Sequence, residues 1–353
     1  MKIFVINPGS TSTKIALYED EKSLWVENIH HTAEELSLYA CVNEQYDFRK
    51  QSVLQALAHA SIPLSFDAII ARGGLLRPTP GGVYSINEQM KHDLWYARME
   101  HACNLGALLA DELSKEIGCP AFIADPEVVD EFQEKSRLTG IPEIERISIF
   151  HALNSKAVSR KYALSRGCAY EELNLIVVHL GGGISVGAHR HGRVIDVNNA
   201  LNGEGPFSPE RAGTIPADQF AELCFSGKYT LKEIKKMLNG KGGLIAHLGT
   251  NHVPGIIQKA QDGDKHCALV LEAMIYTVAK QVGAMHVALC GKTDAIILTG
   301  GIAHSEYCVQ MLSEQIDYLA PLVLMPGEDE MGSLAFNALG AMKGDLPLQE
   351  YGK

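Results

Sequence analysis

Three glycine-bearing turns follow short apolar runs in this chain. Leu175-Ile-Val-Val178 leads into His179-Leu-Gly181-Gly182-Gly183. Ile3-Phe-Val-Ile6 leads into Asn7-Pro-Gly9-Ser10-Thr-Ser12-Thr, with Lys14 just beyond. Asp294-Ala-Ile-Ile-Leu298-Thr leads into Gly300-Gly301-Ile302. A short apolar run reads as a buried strand. Glycine lets backbone approach a ligand closely, and unpaired N–H groups in such a turn can hold an anion. A glycine pair after a buried strand sets backbone against a flat ligand or a phosphate. One such turn alone also suits a plain hairpin. Two ionisable residues end further strands. Arg72 follows Asp67-Ala-Ile-Ile-Ala71 at the carboxyl end, where α/β sheets gather ligands, although a solvated loop arginine would read the same. Asp125 follows Pro120-Ala-Phe-Ile-Ala124; it suits a magnesium site, or a cap for a helix beginning near Pro126. Glu328-Asp329-Glu330 opens the last helix, where acidic residues also suit the helix dipole. Neither a Gly-x-x-x-x-Gly-Lys-Ser/Thr loop nor a Gly-x-Gly-x-x-Gly fingerprint after a strand is present.

The elements that must position these residues are repeated. Strand, glycine turn, strand, turn, strand runs from Leu175 to Val197 and again from Ile3 to Ile29. This order points to an internal duplication, and two halves with anion-holding turns suggest a phosphate clamped between two domains. Helical spacing marks Phe48 to Ala60, one or two helices across Ile86 to Ile117, a helix after Phe150-His151 through Arg166 that joins the halves, and a last helix from Gly332 to Met342. Lys259 to Asp264 reads as an exposed polar turn. Pro142 puts the boundary between halves near residues 142 to 150.

The chain's 353 residues suffice for two ordinary domains, and 46% hydrophobic with 21% charged residues is a globular composition. A net charge of -11 excludes nucleic acid and anionic membrane as expected partners. It also requires Lys, Arg, His or a metal to gather wherever phosphate binds. Eight cysteines without a Cys-x-x-Cys pair predict free thiols. Cys267 to Cys290 is the most apolar long stretch, but Glu272, Lys280 and His286 interrupt it, so a buried helix is expected and not a membrane span. With no targeting segment before the first strand, a cytoplasmic location is expected.

Asn7-x-Gly9-Ser10-x-Ser12-x-Lys14, His179-Leu-Gly-Gly-Gly183 and Leu298-Thr-Gly-Gly-Ile302 resemble the two phosphate motifs and the adenosine motif of the superfamily of acetate kinase, sugar kinases, Hsp70 and actin. Within it the chain resembles the acetokinase family. Ala71-Arg72-Gly73-Gly74-Leu-Leu-Arg-Pro78 and Ser148-Ile-Phe-His151-Ala-Leu-Asn154 bring it closest to the branch acting on butyrate, and the resemblance covers nearly the whole chain. It implies an α/β protein of two duplicated ribonuclease-H-like domains of the actin-like ATPase type, with the nucleotide in the cleft between them. Residues 1–147 would form the acceptor side and 148–330 the nucleotide side, with 331–353 as a terminal helix and tail packing back on the first domain.

The implied reaction is in-line transfer of the γ-phosphoryl of ATP to a short-chain carboxylate, butyrate first, giving acyl phosphate and ADP, with Mg2+ as the metal. Acetate, propionate and isobutyrate are alternative acceptors. An ATPase of the actin or Hsp70 type is the alternative from another class, and it gives the pair Arg72 and Arg211 no anionic acceptor to bind. A carboxylate is already an anion, so no general base is needed; positioning and charge stabilisation do the work. On this resemblance Arg72 pairs with the acceptor carboxylate, and Arg211 and His179 face the transferring phosphoryl group. His151 supports that site from behind. Asp125 and Glu330 place magnesium, with Asp329 as the alternative to Glu330. Asn7, Ser10, Ser12, Lys14 and Gly181 to Gly183 line the phosphates, and Gly300, Gly301 and Ile302 the adenosine. Arg211 rests on a short Arg-x-Gly match to a Thr-Arg-Ser-Gly motif. Gly182 stands where acetate kinases carry Asn, and Ala71 where they carry His. Both changes leave a roomier, less polar site, which favours an acceptor longer than acetate. The family also implies a homodimer or higher homo-oligomer.

Overall fold

A computed structural model describes residues 1–97 and 100–353. Among the described residues, twelve strands form two sheets. They are β1 (Lys2–Pro8), β2 (Ser12–Glu19), β3 (Lys22–His30), β4 (Ala68–Arg72), β5 (Val83–Ser85), β6 (Ala121–Ala124), β7 (Asn174–Leu180), β8 (Ile184–Arg190), β9 (Arg193–Val197), β10 (Ala295–Gly300), β11 (Leu322–Pro326) and β12 (Leu348–Glu350). The chain divides into two compact units. One comprises Met1–Asp130, Ala152–Ala157 and Asp329–Lys353; the other comprises Glu131–His151 and Val158–Glu328.

The first unit holds the sheet β12-β5-β6-β4-β1-β2-β3. β1, β2 and β3 form an antiparallel meander, and β4 returns parallel to β1. Side chains alternate along a strand. Ile3, Val5, Ala16, Tyr18, Ala68 and Ile70 therefore share one face, packed on Met331, Leu334, Ala335 and Ala338 of the helix Glu330–Lys343. Phe4, Ile6, Ile15, Leu17, Ile69 and Ala71 share the other, under the helices Tyr46–His59 and Asn104–Ile117. Covered faces explain why β1 and β4 are unbroken apolar runs. The helical stretch expected from Ile86 to Ile117 is two helices, Glu88–Trp95 and Asn104–Ile117. The Asn87 side chain caps the first, accepting from Met90 N at 2.9 Å.

The second unit repeats the plan with the sheet β11-β10-β7-β8-β9. Register makes the repeat explicit. Ile3 pairs with Tyr18 and Ala68, while Leu175 pairs with His189 and Ala295. Counting along the strands, Asn7 corresponds to His179, Arg72 to Thr299 and Gly73 to Gly300. Even the bulge recurs, at Leu17/Tyr18 and at Ala188/His189. The helix Lys265–Ala288 is long and apolar enough to cross a membrane by length and composition. Its stripe of Val270, Leu271, Met274, Ile275, Val278 and Val282 is buried with Ile176, Val178, Val186, Ile296 and Leu298, as a core helix requires.

Three expectations about boundaries differ from what is seen. Residues 131–147, read as part of the first domain, run along β9 in the second unit. Val194 N donates to Glu131 Oε2 at 2.7 Å, Gln133 N to Ile195 O at 3.2 Å, and Arg146 Nη2 to Val197 O at 2.9 Å. The open edge of β9 offers these backbone groups, and Pro142 lies within the segment covering it. The helix expected to join the halves is Ala152–Ser165; its first six residues cluster with the first unit and the rest with the second. Part of the polar turn expected from Lys259 is helix, since Val253–Gln261 continues through it.

Candidate functional site

In the second unit, His179 is the penultimate residue of β7, and the chain turns through Gly181 to Gly183. Gly181 N donates to Gly183 O at 3.1 Å. Gly182 O accepts from Ser208 Oγ at 2.7 Å and from Glu210 N at 3.1 Å. A Cβ on Gly181 would stand 2.9 Å from His179 Nε2, so a side chain there would displace the imidazole. The His179 ring is 1% exposed and stacks on His151, with centroids 3.7 Å apart and planes 10° from parallel. His151 stands immediately before the helix Ala152–Ser165, and its Nδ1 lies 3.0 Å from Ser185 Oγ. Burial, and then the charge of His151, push the His179 pKa well below its usual value. Glu328 Oε2 lies 3.7 Å from His179 Nε2, but desolvation dominates in so buried a ring and keeps the imidazole neutral at pH 7.

Arg211 closes the loop beyond. Its backbone oxygen accepts from Ser208 N at 3.0 Å, and its Nη1 donates to Glu210 O and Oε2, each at 3.2 Å. Arg211 Nε is buried and has no acceptor among the described residues. Such an orphaned donor calls for an acceptor the protein does not supply. Gly181, Gly182 and Gly301 line one side of a cavity of about 620 Å³, and Val253, Pro254 and Ile257 contribute to its apolar lining. Gly300 and Gly301 have different duties. Gly300 has φ +86° and a Cβ there would meet Leu180 O at 2.5 Å; Gly301 faces open space. Ile302, 8% exposed, completes this lining.

In the first unit, Asn7 is the penultimate residue of β1 and donates from Nδ2 to Glu330 Oε2 at 2.7 Å. Glu330 Oε1 also accepts from Arg72, whose second amino group bonds Glu127. Burial works against the Arg72 charge, and these two carboxylates outweigh it and raise its pKa. Asp125 is 2% exposed, has φ +37°, and accepts from Gly82 N at 2.8 Å. That conformation is strained for a residue other than glycine. Asp329 is the N-cap of the last helix, accepting from Gly332 N at 2.8 Å, while Glu330 joins Asn7 and Arg72. Ser10 and Lys14 are exposed and Ser12 is half-buried at the β1–β2 turn.

Among the described residues, no three His, Cys, Asp or Glu side chains converge on a point. Magnesium needs no such cage. It keeps waters and takes one or two carboxylates with substrate phosphates, a donor set that Asp125 and Glu330 fit. Sequence reading missed Glu127, Glu210 and the cavity wall from Asn251 to Ile257. It also missed Arg49, fully buried behind the first turn. Arg49 shares a helical stripe with Val53 and Ala56, and a charge at core spacing was the available signal.

The profile of the acetokinase family matches residues 143–323. A protein of Phocaeicola vulgatus named probable butyrate kinase is 78% identical over 99% of both chains. Butyrate kinase 1 of Clostridium acetobutylicum is 49% identical, again over 99% of each. Among solved structures, acetate kinase of Porphyromonas gingivalis superposes with a TM-score of 0.78 at 16% identity, covering 97% of this chain and 99% of its own. The repeated sheet and this superposition define the duplicated ribonuclease-H-like fold of the actin-like ATPase class. The chain belongs to the acetokinase family.

Proposed function

We propose that this chain transfers the γ-phosphoryl group of ATP to butyrate, reversibly giving butyryl phosphate and ADP. Its relatives are named for that reaction. The observation that carries a carboxylate acceptor, against a hydroxyl one, is the buried, neutral His179. An imidazole with so low a pKa is a weak base at neutral pH, and a carboxylate needs none. It still donates an N–H hydrogen bond to a phosphoryl oxygen without taking up a proton.

In this reading Arg211 and His179 stabilise the charge that spreads over the transferring phosphoryl group, with the orphaned Arg211 Nε as one donor. His151 holds the His179 ring by stacking. The acceptor carboxylate displaces one of the two glutamates on Arg72 and takes its fork of donors. Gly301 and Ile302 border the adenosine in the apolar cavity, and Gly300 sets the turn that presents them. Gly181 to Gly183, Asn7, Ser10, Ser12 and Lys14 hold the phosphates. Asp125 and Glu330 would hold magnesium, which supplies positive charge to the phosphate oxygens; Asp329 is already committed to its cap. The homodimer or higher homo-oligomer and the cytoplasmic location belong to the same proposal, and sedimentation and cell fractionation check them.

The test is acid-dependent hydroxamate formation from ATP, with initial rates across acetate, propionate, butyrate, isobutyrate and valerate. Broad activity peaking near four carbons is expected, because an apolar pocket discriminates one methylene by only about 1–3 kcal/mol. ATP hydrolysis indifferent to every acid would overturn the proposal.

A further inference from the structure

Arg49 is among the largest fully buried side chains in the molecule. Its Nη1 donates to Gly9 O, Ser12 O and Thr13 Oγ1, each at 3.0 Å, and its Nη2 to Ser10 O at 3.2 Å. Nε and Nη2 both reach Gln45 Oε1 at 3.0 Å. Every partner is neutral, and no carboxylate among the described residues pairs with it. Burial lowers its pKa to about 10, which leaves it charged at neutral pH. His31 nearby is pushed down to about 4 by burial and by Arg49, so it adds no charge.

A buried cation whose partners are all neutral is costly, and an anion held at the turn it backs would offset that cost. Geometry indicates where that anion sits. Across a trans peptide bond, C=O and N–H point opposite ways. Arg49 draws the carbonyls of Gly9 and Ser10 inward, which turns the N–H groups of Ser10 and Thr11 outward. Both residues are exposed, and these two amides meet no acceptor among the described residues.

We propose that Arg49 is a positioning residue for the phosphate end of the nucleotide, orienting the Ser10 and Thr11 amides toward it and backing the turn with an uncompensated positive charge. This rests on the reading that the β1–β2 turn faces phosphate. A charge behind a row of oriented peptide dipoles acts on an anion without touching it.

Calorimetric binding of ATP and of adenosine, without acid, tests it. Arg49→Met should raise the Kd for ATP at least tenfold and change that for adenosine less than twofold. Arg49→Lys should fall between. Gln45→Glu retains the side-chain shape and pairs the guanidinium in place; it should raise the ATP Kd three- to fivefold with no fall in thermal midpoint. Wild-type ATP affinity in folded Arg49→Met overturns the proposal. Should that variant not fold, wild-type ATP affinity in Gln45→Glu overturns it. Equal losses of ATP and adenosine affinity indicate a merely structural Arg49 and also overturn it. Failure of the wild type to phosphorylate any acid would count against the proposed reaction and leave this binding assay to judge Arg49 by itself.

Discussion

The two units place corresponding residues at corresponding strand ends and use them differently. Where β1 carries Asn7 one residue before its end, β7 carries His179; where β4 ends in Arg72, β10 carries Thr299. The first unit's turn is polar in sequence and its carbonyls are held from behind by a buried cation. The second builds its turn from bare backbone beside the buried, neutral His179, which stacks on His151, and Thr299 spends its hydroxyl on Gly327 O at 3.1 Å. The framework is thus one solution used twice, down to the bulge, while the electrostatics diverge. The first unit sets the Arg72 guanidinium at a strand end between Glu127 and Glu330, and the Arg49 guanidinium behind its turn. The second offers an apolar cavity, the neutral His179 and the Arg211 guanidinium. Duplication conserves what packing dictates and leaves the strand ends free to specialise, because ligands meet a sheet there and not in its core.

Predictions follow from this contrast in order of size. Removing the first unit's half-buried strand-end cation should do most. Arg72→Ala should lower kcat/KM for acetate and butyrate by a similar factor, near a thousandfold, as loss of one partner of a desolvated charge pair costs about 4 kcal/mol. ATP affinity should hardly change. Parallel kinetics with both acids and calorimetry with ATP check this; a loss confined to one acid, or a large loss of ATP binding, would blur the division of labour.

Arg211→Ala should come next, with kcat down by about two orders of magnitude, roughly 3 kcal/mol, and acceptor KM little altered. An unchanged kcat would remove the second unit's charged donor from the chemistry.

The glycine pair gives a smaller, cleaner contrast within one strand end. Gly300→Ala should destabilise the protein by at least about 2 kcal/mol, through left-handed backbone strain and the clash with Leu180 O. Gly301→Ala meets open space and should stay within about 0.5 kcal/mol of wild type while weakening nucleotide binding. Urea unfolding with ATP titration separates the two; equal stability losses would refute the distinction.

The smallest effect concerns acid stability. The folded-state pKa of His31 is depressed to about 4 from 6.5, so the unfolded chain binds its proton first. Stability from the neutral ring is complete above 6.5 and is lost as pH falls from there toward 4. Between pH 7 and about 5.5 this amounts to about 1 kcal/mol. His31→Gln should flatten the wild-type curve by that amount in denaturant titrations. Identical slopes would mean that burial beside Arg49 does not hold the ring neutral.

Local pattern was enough for the repeat, the paired meanders, the glycine turns and the strand ends carrying Arg72 and Asp125. Buried runs such as Ile3 to Ile6 and Leu175 to Val178 cannot face water on either side, and a turn of glycines admits few other uses. Other features were settled by contacts distant in sequence. Glu131, Gln133 and Arg146 bond β9 because its open strand edge leaves backbone donors and acceptors to be met, whichever side of Pro142 the partners come from. Asp329 and Glu330 are adjacent and alike in the chain, yet one caps a helix while the other bonds Asn7 and Arg72, more than 250 residues away. Gly300 and Gly301 are identical in sequence, and only the approach of Leu180 separates backbone necessity from open space. Arg49 was visible as a charge on an apolar stripe. That it holds the carbonyls of a turn 40 residues earlier was a matter for tertiary structure, since a buried guanidinium has no meaning until its acceptors are in place.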